Sequence, residues 1–137
     1  MPTMRLSTVI FWIIAVCIGI AFEIARRRRL APIFARTCAG REWRRSFPDA
    51  PKNDIRQFLN LFVDAFALHP KHFLKFRPSD RIMDVYRTIY PPKWTVADCM
   101  ELEMFAMLLE QRYALELISI WRDDLTLGEV FGRTESA

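Results

Sequence analysis

Two patterns of apolar and polar residues divide the chain. Residues 6–22, LSTVIFWIIAVCIGIAF, contain no charged side chain. As a helix this run is about 25 Å long, close to the roughly 30 Å of a bilayer's hydrocarbon core. From residue 53 onward, apolar residues instead recur every three or four positions, which is the period of an amphipathic helix. The patterns predict an all-α protein, with a single N-terminal transmembrane helix followed by a small helical bundle of three to four helices.

Three interpretations of the apolar run compete: a membrane anchor, a cleaved signal peptide and a buried helix of a soluble domain. The run ends at Phe22, Glu23 and four arginines rather than at small residues, which favours an anchor over a cleavage site. One arginine precedes the run and eight follow it by residue 45. Because positive flanks stay on the cytoplasmic side, we expect a single-pass protein of the inner (cytoplasmic) membrane with its C-terminal domain in the cytoplasm.

The arginines that follow the span are predicted to lie at the membrane surface (Arg26, Arg27, Arg28 and Arg29). They act first as a stop signal, and each adds about 1 kcal/mol when it lies near anionic head groups. Trp43 is a candidate ring for the membrane interface. The expected organisation is therefore a transmembrane anchor over residues 1–25, a basic juxtamembrane linker over residues 26–52 and a helical domain over residues 53–137.

Charge is distributed unevenly between these parts. Residues 1–46 carry nine arginines against two glutamates, a net charge of +7. Residues 47–137 carry eleven basic against fourteen acidic residues, a net charge of −3. The folded part is mildly acidic, so the high overall pI does not indicate a nucleic-acid partner. Three isolated cysteines suggest no disulfide framework and favour a reducing compartment.

Helical period and capping residues predict four helices in the domain, which begin at Asn53, Ser79, Asp98 and Thr126. Two capping boxes are expected, one between Asp98 and Glu101 and one between Thr126 and Glu129. Residues 115–121 are predicted to form an extended loop with at most one helical turn. The last helix is predicted to end early, at Gly132.

The third predicted helix has two contrasting faces. At 100° per residue its core face holds Leu102, Phe105, Leu109 and Tyr113. The opposite face holds methionines and glutamates, namely Met100, Glu103, Met104, Met107 and Glu110. Methionine is flexible and polarisable, so this face is a candidate for binding a protein partner. The alternative is that residues 88–97 cover the methionines.

The order of these elements resembles the acyl carrier protein family, and more closely a bacterial family of acyl-carrier-like proteins of unknown function. The resemblance covers residues 54–131. The helix-two motif of carriers is matched by Asp98, Met100, Glu101, Glu110, Tyr113 and Leu115 to Leu117. Flanking matches are Asp80, Ile82, Asp84, Val85 and Thr126 to Gly128. The resemblance implies a carrier-type bundle whose second helix faces its protein partners.

Two departures bear on function. Carriers attach phosphopantetheine to a serine, whereas Cys99 occupies that position here. The insertion RTIYPPKWTV at residues 87–96, which includes Trp94, lies beside it. We therefore expect no cofactor and no phosphopantetheine. A likeness of fold does not transfer an activity whose site has changed.

No catalytic set is recognisable in the chain. Cys99 has no histidine near it in sequence to act as a base, and His69 and His72 alone are too few ligands for zinc, so neither an enzyme nor a metal site is predicted. The expected function is a membrane-anchored, acyl-carrier-like interaction module. Its protein partner is unknown, and the candidates are a lipid-synthesis enzyme and a regulator. The alternative is a working carrier or thiol acceptor that uses Cys99.

Overall fold

The computed structural model describes residues 5–90 and 100–136, and within them the chain forms seven α-helices and one 3-10 helix. Their bounds are α1 Leu6–Phe34, α2 Gly40–Ser46, α3 Lys52–Ala65, the 3-10 helix Pro70–Lys75, α4 Ile82–Ile89, α5 Met100–Tyr113, α6 Leu117–Ile120 and α7 Leu127–Glu135. The described residues contain no named strand. The all-α prediction is confirmed.

Helix α1 is much longer than the uncharged run. Its 29 residues extend about 44 Å, and it is the one described helix that is long and apolar enough to cross a membrane. Large apolar side chains along residues 6–24 are exposed, such as Phe11 at 66% and Trp12 at 59%. Near its C-terminal end Leu30 and Ile33 are buried against the rest of the chain, so the same helix is both the apolar segment and part of the folded core.

Residues 26–52 are therefore not the linker that the sequence predicted. Besides the end of α1 they contain α2, whose Trp43 is fully buried. The Trp43 indole Nε1 donates a hydrogen bond to the Phe76 carbonyl oxygen at 2.9 Å. The prediction of Trp43 at a membrane interface is wrong, because an indole whose N–H has a partner gains more by burying its large ring in the core.

Helix α3 lies at the centre of the bundle and packs against the 3-10 helix and α5. Phe62 is in ring contact with its neighbours at centroid distances of 4.6 Å to Phe66, 5.1 Å to Phe76 and 5.4 Å to Phe105. One turn earlier on the same side of α3, Phe58 contacts Trp43 and Phe131. Aromatic pairs in these edge and tilted geometries are worth about 0.5–1.5 kcal/mol each beyond their buried area.

Several predicted boundaries are corrected by the structure. Helix α3 begins at Lys52 after Pro51, so Asn53 is not its cap. Helix α4 begins at Ile82 rather than Ser79. Helix α7 passes Gly132 and ends at Glu135.

Two predicted features of the C-terminal region are confirmed. Residues 117–120 form a single helical turn. The α7 capping box is present, with the Glu129 amide donating to Thr126 Oγ1 and the Thr126 amide donating to a Glu129 carboxylate oxygen.

Two loops pair side by side ahead of α4 and α7. The Ile82 amide donates to the Leu125 carbonyl at 3.1 Å, and the Leu127 amide donates to the Asp80 carbonyl at 3.0 Å. The Gly128 amide donates to the Pro78 carbonyl at 2.8 Å. The Asp80 carboxylate also accepts from the Arg36 guanidinium at 2.7 and 2.9 Å, which ties the residues after α1 to this loop pair.

Candidate protein-docking face and membrane-proximal arginines

The outer side of α5 exposes three methionines between two carboxylates. The exposed fractions are 61% for Met100 and 43% for both Met104 and Met107. Glu103 and Glu110 are exposed on the same helix. Neither glutamate has an ion-pair partner within the part of the chain that the structure describes. We call Met100, Glu103, Met104, Met107 and Glu110 the α5 face.

The inner side of α5 fixes how this face is presented. Phe105 and Leu109 are fully buried, and Leu102 and Tyr113 are partly buried against the core. Phe105 is in ring contact with Phe58, Phe62 and Phe66 of the α3 region. The predicted division of α5 into a core side and an outer side is therefore present, and its inner side is held rigidly.

A tyrosine connects the end of α4 to the first turn of α5. The Tyr90 hydroxyl donates a hydrogen bond to Glu101 Oε1 at 2.5 Å. Burial of the ring, followed by the hydrogen bond and the negative charge of Glu101, raises the pKa of Tyr90 to about 12. The capping box predicted between Asp98 and Glu101 lies outside the described residues, because Asp98 is not among them.

Some predicted residues lie outside the described part of the chain. These are Asp98, Cys99 and Trp94, together with most of the segment 88–97 that was considered as a cover for the methionines. Cys99 directly precedes Met100, the first described residue of α5. Of the other cysteines, Cys17 and Cys38 are free and exposed.

The four arginines after the apolar run differ in their contacts and exposure. An Arg26 guanidinium nitrogen donates to the Ala67 carbonyl at 3.1 Å, just after α3 ends, and Arg29 donates to the Ile89 carbonyl at 3.5 Å, at the end of α4. Cations at helix C-termini are favourable because the exposed carbonyls carry partial negative charge. Arg26 and Arg29 thus attach α1 to the bundle, while Arg27 and Arg28 are exposed.

One histidine caps the start of the 3-10 helix, and the other lies within it. His69 Nδ1 accepts a hydrogen bond from the Lys71 amide at 3.2 Å, which caps this helix. The His72 ring stacks on Phe34 of α1, with centroids 3.7 Å apart and planes 9° from parallel. Both side chains therefore have structural contacts in addition to any ligand-binding capacity.

Sequence reasoning missed that residues 34–47 belong to the folded core. Ala39, Trp43 and Phe47 are spaced at four-residue steps and pack together at the core, which is a helical signal within the supposed linker. The stacking of His72 on Phe34 and the Arg36–Asp80 ion pair join segments far apart in sequence. No local pattern indicates such pairs.

No family model, curated protein or solved structure matches this chain. The described residues define its class as an all-α protein with one long apolar N-terminal helix. The resemblance to acyl carriers stays a prediction.

Proposed function

We propose that this chain is a membrane-anchored, non-enzymatic interaction module that binds a cytoplasmic protein through the α5 face. The observation that supports it most is the exposure of Met100, Met104 and Met107 beside two unpaired glutamates, on a helix whose other side is fixed in the core. The expected partner surface is basic at its rim and apolar at its centre. The resemblance to acyl carriers suggests a lipid-synthesis enzyme or a regulator as the candidate partner.

The two kinds of side chain on the α5 face have separate tasks in this proposal. Glu103 and Glu110 attract and orient a basic surface, which raises the association rate more than the final affinity. The methionines then supply the buried contact, since their flexible thioethers adapt to an apolar pocket. Anchoring by α1 holds this face at a fixed distance from the membrane, because α1 continues into the core without a break.

A second candidate function rests on Cys99, which directly precedes Met100 in the sequence. A thiol at the start of a helix has a lowered pKa when nearby positive charge or the helix dipole stabilises the thiolate. In this alternative the chain carries an acyl group or a disulfide partner on that sulfur. Intact mass of the full chain, purified from its membranes without a thiol reductant, separates the two: an unchanged mass supports the interaction module, and an added acyl group or disulfide partner that Cys99→Ala removes supports the carrier.

The experiment for the α5 face is site-specific photocrosslinking in native membranes. The full chain carries a photoreactive phenylalanine analogue at position 104, with and without Glu103→Lys and Glu110→Lys. We expect a discrete adduct whose yield falls about tenfold in the reversal variant at low salt and less at high salt, since charge steering is screened.

A matched control uses the same change of charge elsewhere in the domain. Glu116→Lys with Glu135→Lys alters two exposed glutamates that lie outside the α5 face. This variant is expected to keep the adduct. Two results would contradict the α5 face as the docking surface. One is an unchanged adduct yield in a folded domain that carries Glu103→Lys and Glu110→Lys. The other is an equal loss of adduct in both double variants.

A further inference from the structure

A cleft of about 670 Å³ lies where α1 meets the residues that follow α3. Its apolar lining is Leu30, Phe34, Ala67 and Leu68. Its polar lining is mostly basic and consists of Arg26, Arg27, Lys71, His69 and His72, with Glu23 as the one acid among the described lining residues. We call this site the basal cleft.

The position of the basal cleft along α1 places it beside the membrane surface. Glu23 follows directly after the uncharged run, and Arg27 lies five residues, or about 8 Å, beyond Phe22. The headgroup layer on each side of a bilayer is roughly 5–8 Å thick. With the apolar run in the hydrocarbon core, the side of the cleft formed by Glu23, Arg26 and Arg27 therefore lies at the depth of lipid phosphates.

The charges of the basal cleft are only partly neutralised within the protein. Glu23 contacts Arg27 at 3.1 Å and Arg26 at 3.8 Å, so one carboxylate is shared by two guanidinium groups. Lys71 has no ion-pair partner within residues 5–90 and 100–136. The side chain of Arg27 is 78% exposed. The cleft thus keeps donors for an added anion.

We propose that the basal cleft binds the phosphate of an anionic membrane lipid, with Arg27 and Lys71 as its principal donors. This inference rests on the proposed anchoring of α1 in the membrane. Charged donors form short, strong hydrogen bonds to phosphate oxygens. Leu30 and Phe34 provide an apolar wall beside these donors. Arg27 thus keeps its predicted surface role as a residue of a defined site.

A second basic cleft in the chain lacks this connection to the membrane. It measures about 250 Å³ and is lined by Arg41, Arg44, Lys52 and Arg56. Lys52 is the first residue of α3, about 20 Å along that helix from the end beside Ala67. This cleft provides a control for charge alone.

His72 offers a readout inside the basal cleft. Burial first, and then the positive charges of Lys71, His69 and Lys75, lower the pKa of His72. Arg26, Arg27 and Glu23 face the same space from α1. An added anion opposes the effect of the cations, so a bound phosphate is expected to raise the pKa of His72.

The test titrates the full chain in maltoside micelles, which contain no phosphate. Dihexanoyl phosphatidylglycerol is the probe, and dihexanoyl phosphatidylcholine and inorganic phosphate are the comparison ligands. The imidazole signals of the chain's two histidines are followed by NMR and assigned with His69→Gln. We expect a saturable His72 response to phosphatidylglycerol and a much weaker response to the other two.

Two double variants decide where the lipid binds. Arg27→Gln with Lys71→Gln is expected to weaken phosphatidylglycerol binding at least about tenfold, because two charge-assisted donors are lost. Lys52→Gln with Arg56→Gln removes the same charge from the other cleft and is expected to leave binding unchanged. Both variants should keep the wild-type melting temperature, since all four side chains are exposed.

Three results would overturn the inference: no His72 response to phosphatidylglycerol, an equal response to inorganic phosphate or phosphatidylcholine, or an equal loss in both variants. None of them bears on the α5 face. Failure of the anchor would be seen separately, as extraction of the full chain from membranes by alkali.

Discussion

Gly128 lies in the first turn of α7, where the backbone passes directly over Pro78. A β-carbon at Gly128 would lie 2.9 Å from the Pro78 carbonyl oxygen and 3.1 Å from its Cβ. The neighbouring atoms belong to the paired loops, in which the Gly128 amide already donates to the same carbonyl. The requirement for glycine here is therefore steric, and it comes from a contact between two loops distant in sequence.

We expect Gly128→Ala to destabilise the domain by about 1–3 kcal/mol, since the loop pair must move apart to accept a methyl group. The measurement is urea unfolding of the full chain in neutral detergent. Gly132→Ala in the same helix is the control, because its β-carbon would meet only Phe47 ring atoms, at 3.5 Å or more. That control should be neutral or gain about 0.5–1 kcal/mol from the better helix propensity of alanine. Equal effects at the two positions would show that the loop contact is not tight.

Local sequence predicts the contacts of some residues but not of others. The Thr126–Glu129 capping box is a four-residue motif, so it was predictable. The pairing of Arg36 with Asp80 depends on how the end of α1 lies against the α4 loop. The burial of Trp43 likewise depends on Phe76 presenting a free carbonyl.

At the scale of elements, α5 is one of the helices whose core side was predicted correctly. Its pattern is a direct consequence of 3.6 residues per turn, because Phe105 and Leu109 recur four residues apart on the core side. Helix starts were predicted less well. At α3 the capping residue chosen was Asn53, but the backbone already turns into the helix after Pro51. Pro51 is itself the N-cap residue, and no side chain caps this helix.

A pair of substitutions on α5 tests this division of faces. Leu109→Asp should destabilise the domain by about 3–5 kcal/mol, because it places an unpaired charge in the core. Met107→Asp adds the same side chain at a position that is 43% exposed and should leave stability nearly unchanged. Circular dichroism during thermal unfolding measures both. A similar loss at position 107 would mean that the outer side of α5 is covered by protein.

At the scale of the whole molecule, the important feature is the continuity of α1. The helix carries exposed apolar residues at one end and the buried Leu30 and Ile33 at the other. Arg26 and Arg29 fasten it to the C-terminal ends of α3 and α4. The domain is thus joined to the apolar segment by a helix, whereas charge and composition alone had predicted a linker there.

A series of contacts connects the two proposed binding sites. Arg29 donates to the Ile89 carbonyl at the end of α4, and the adjacent Tyr90 donates to Glu101 in the first turn of α5. The contacts thus run from α1, which lines the basal cleft, through α4 to α5. In our account the membrane sets the height and orientation at which the docking face meets its partner.

The account depends most on α1 crossing the membrane with the domain in the cytoplasm, and cysteine labelling measures this directly. Cys38 is free and exposed on the domain side of α1. With Cys17 and Cys99 replaced by alanine, Cys38 should react with a membrane-impermeant maleimide only after spheroplasts are permeabilised. A cysteine placed at Thr3 in a variant lacking the other three should react in intact spheroplasts. Labelling of Cys38 from outside, or of neither site until permeabilisation, would contradict the account.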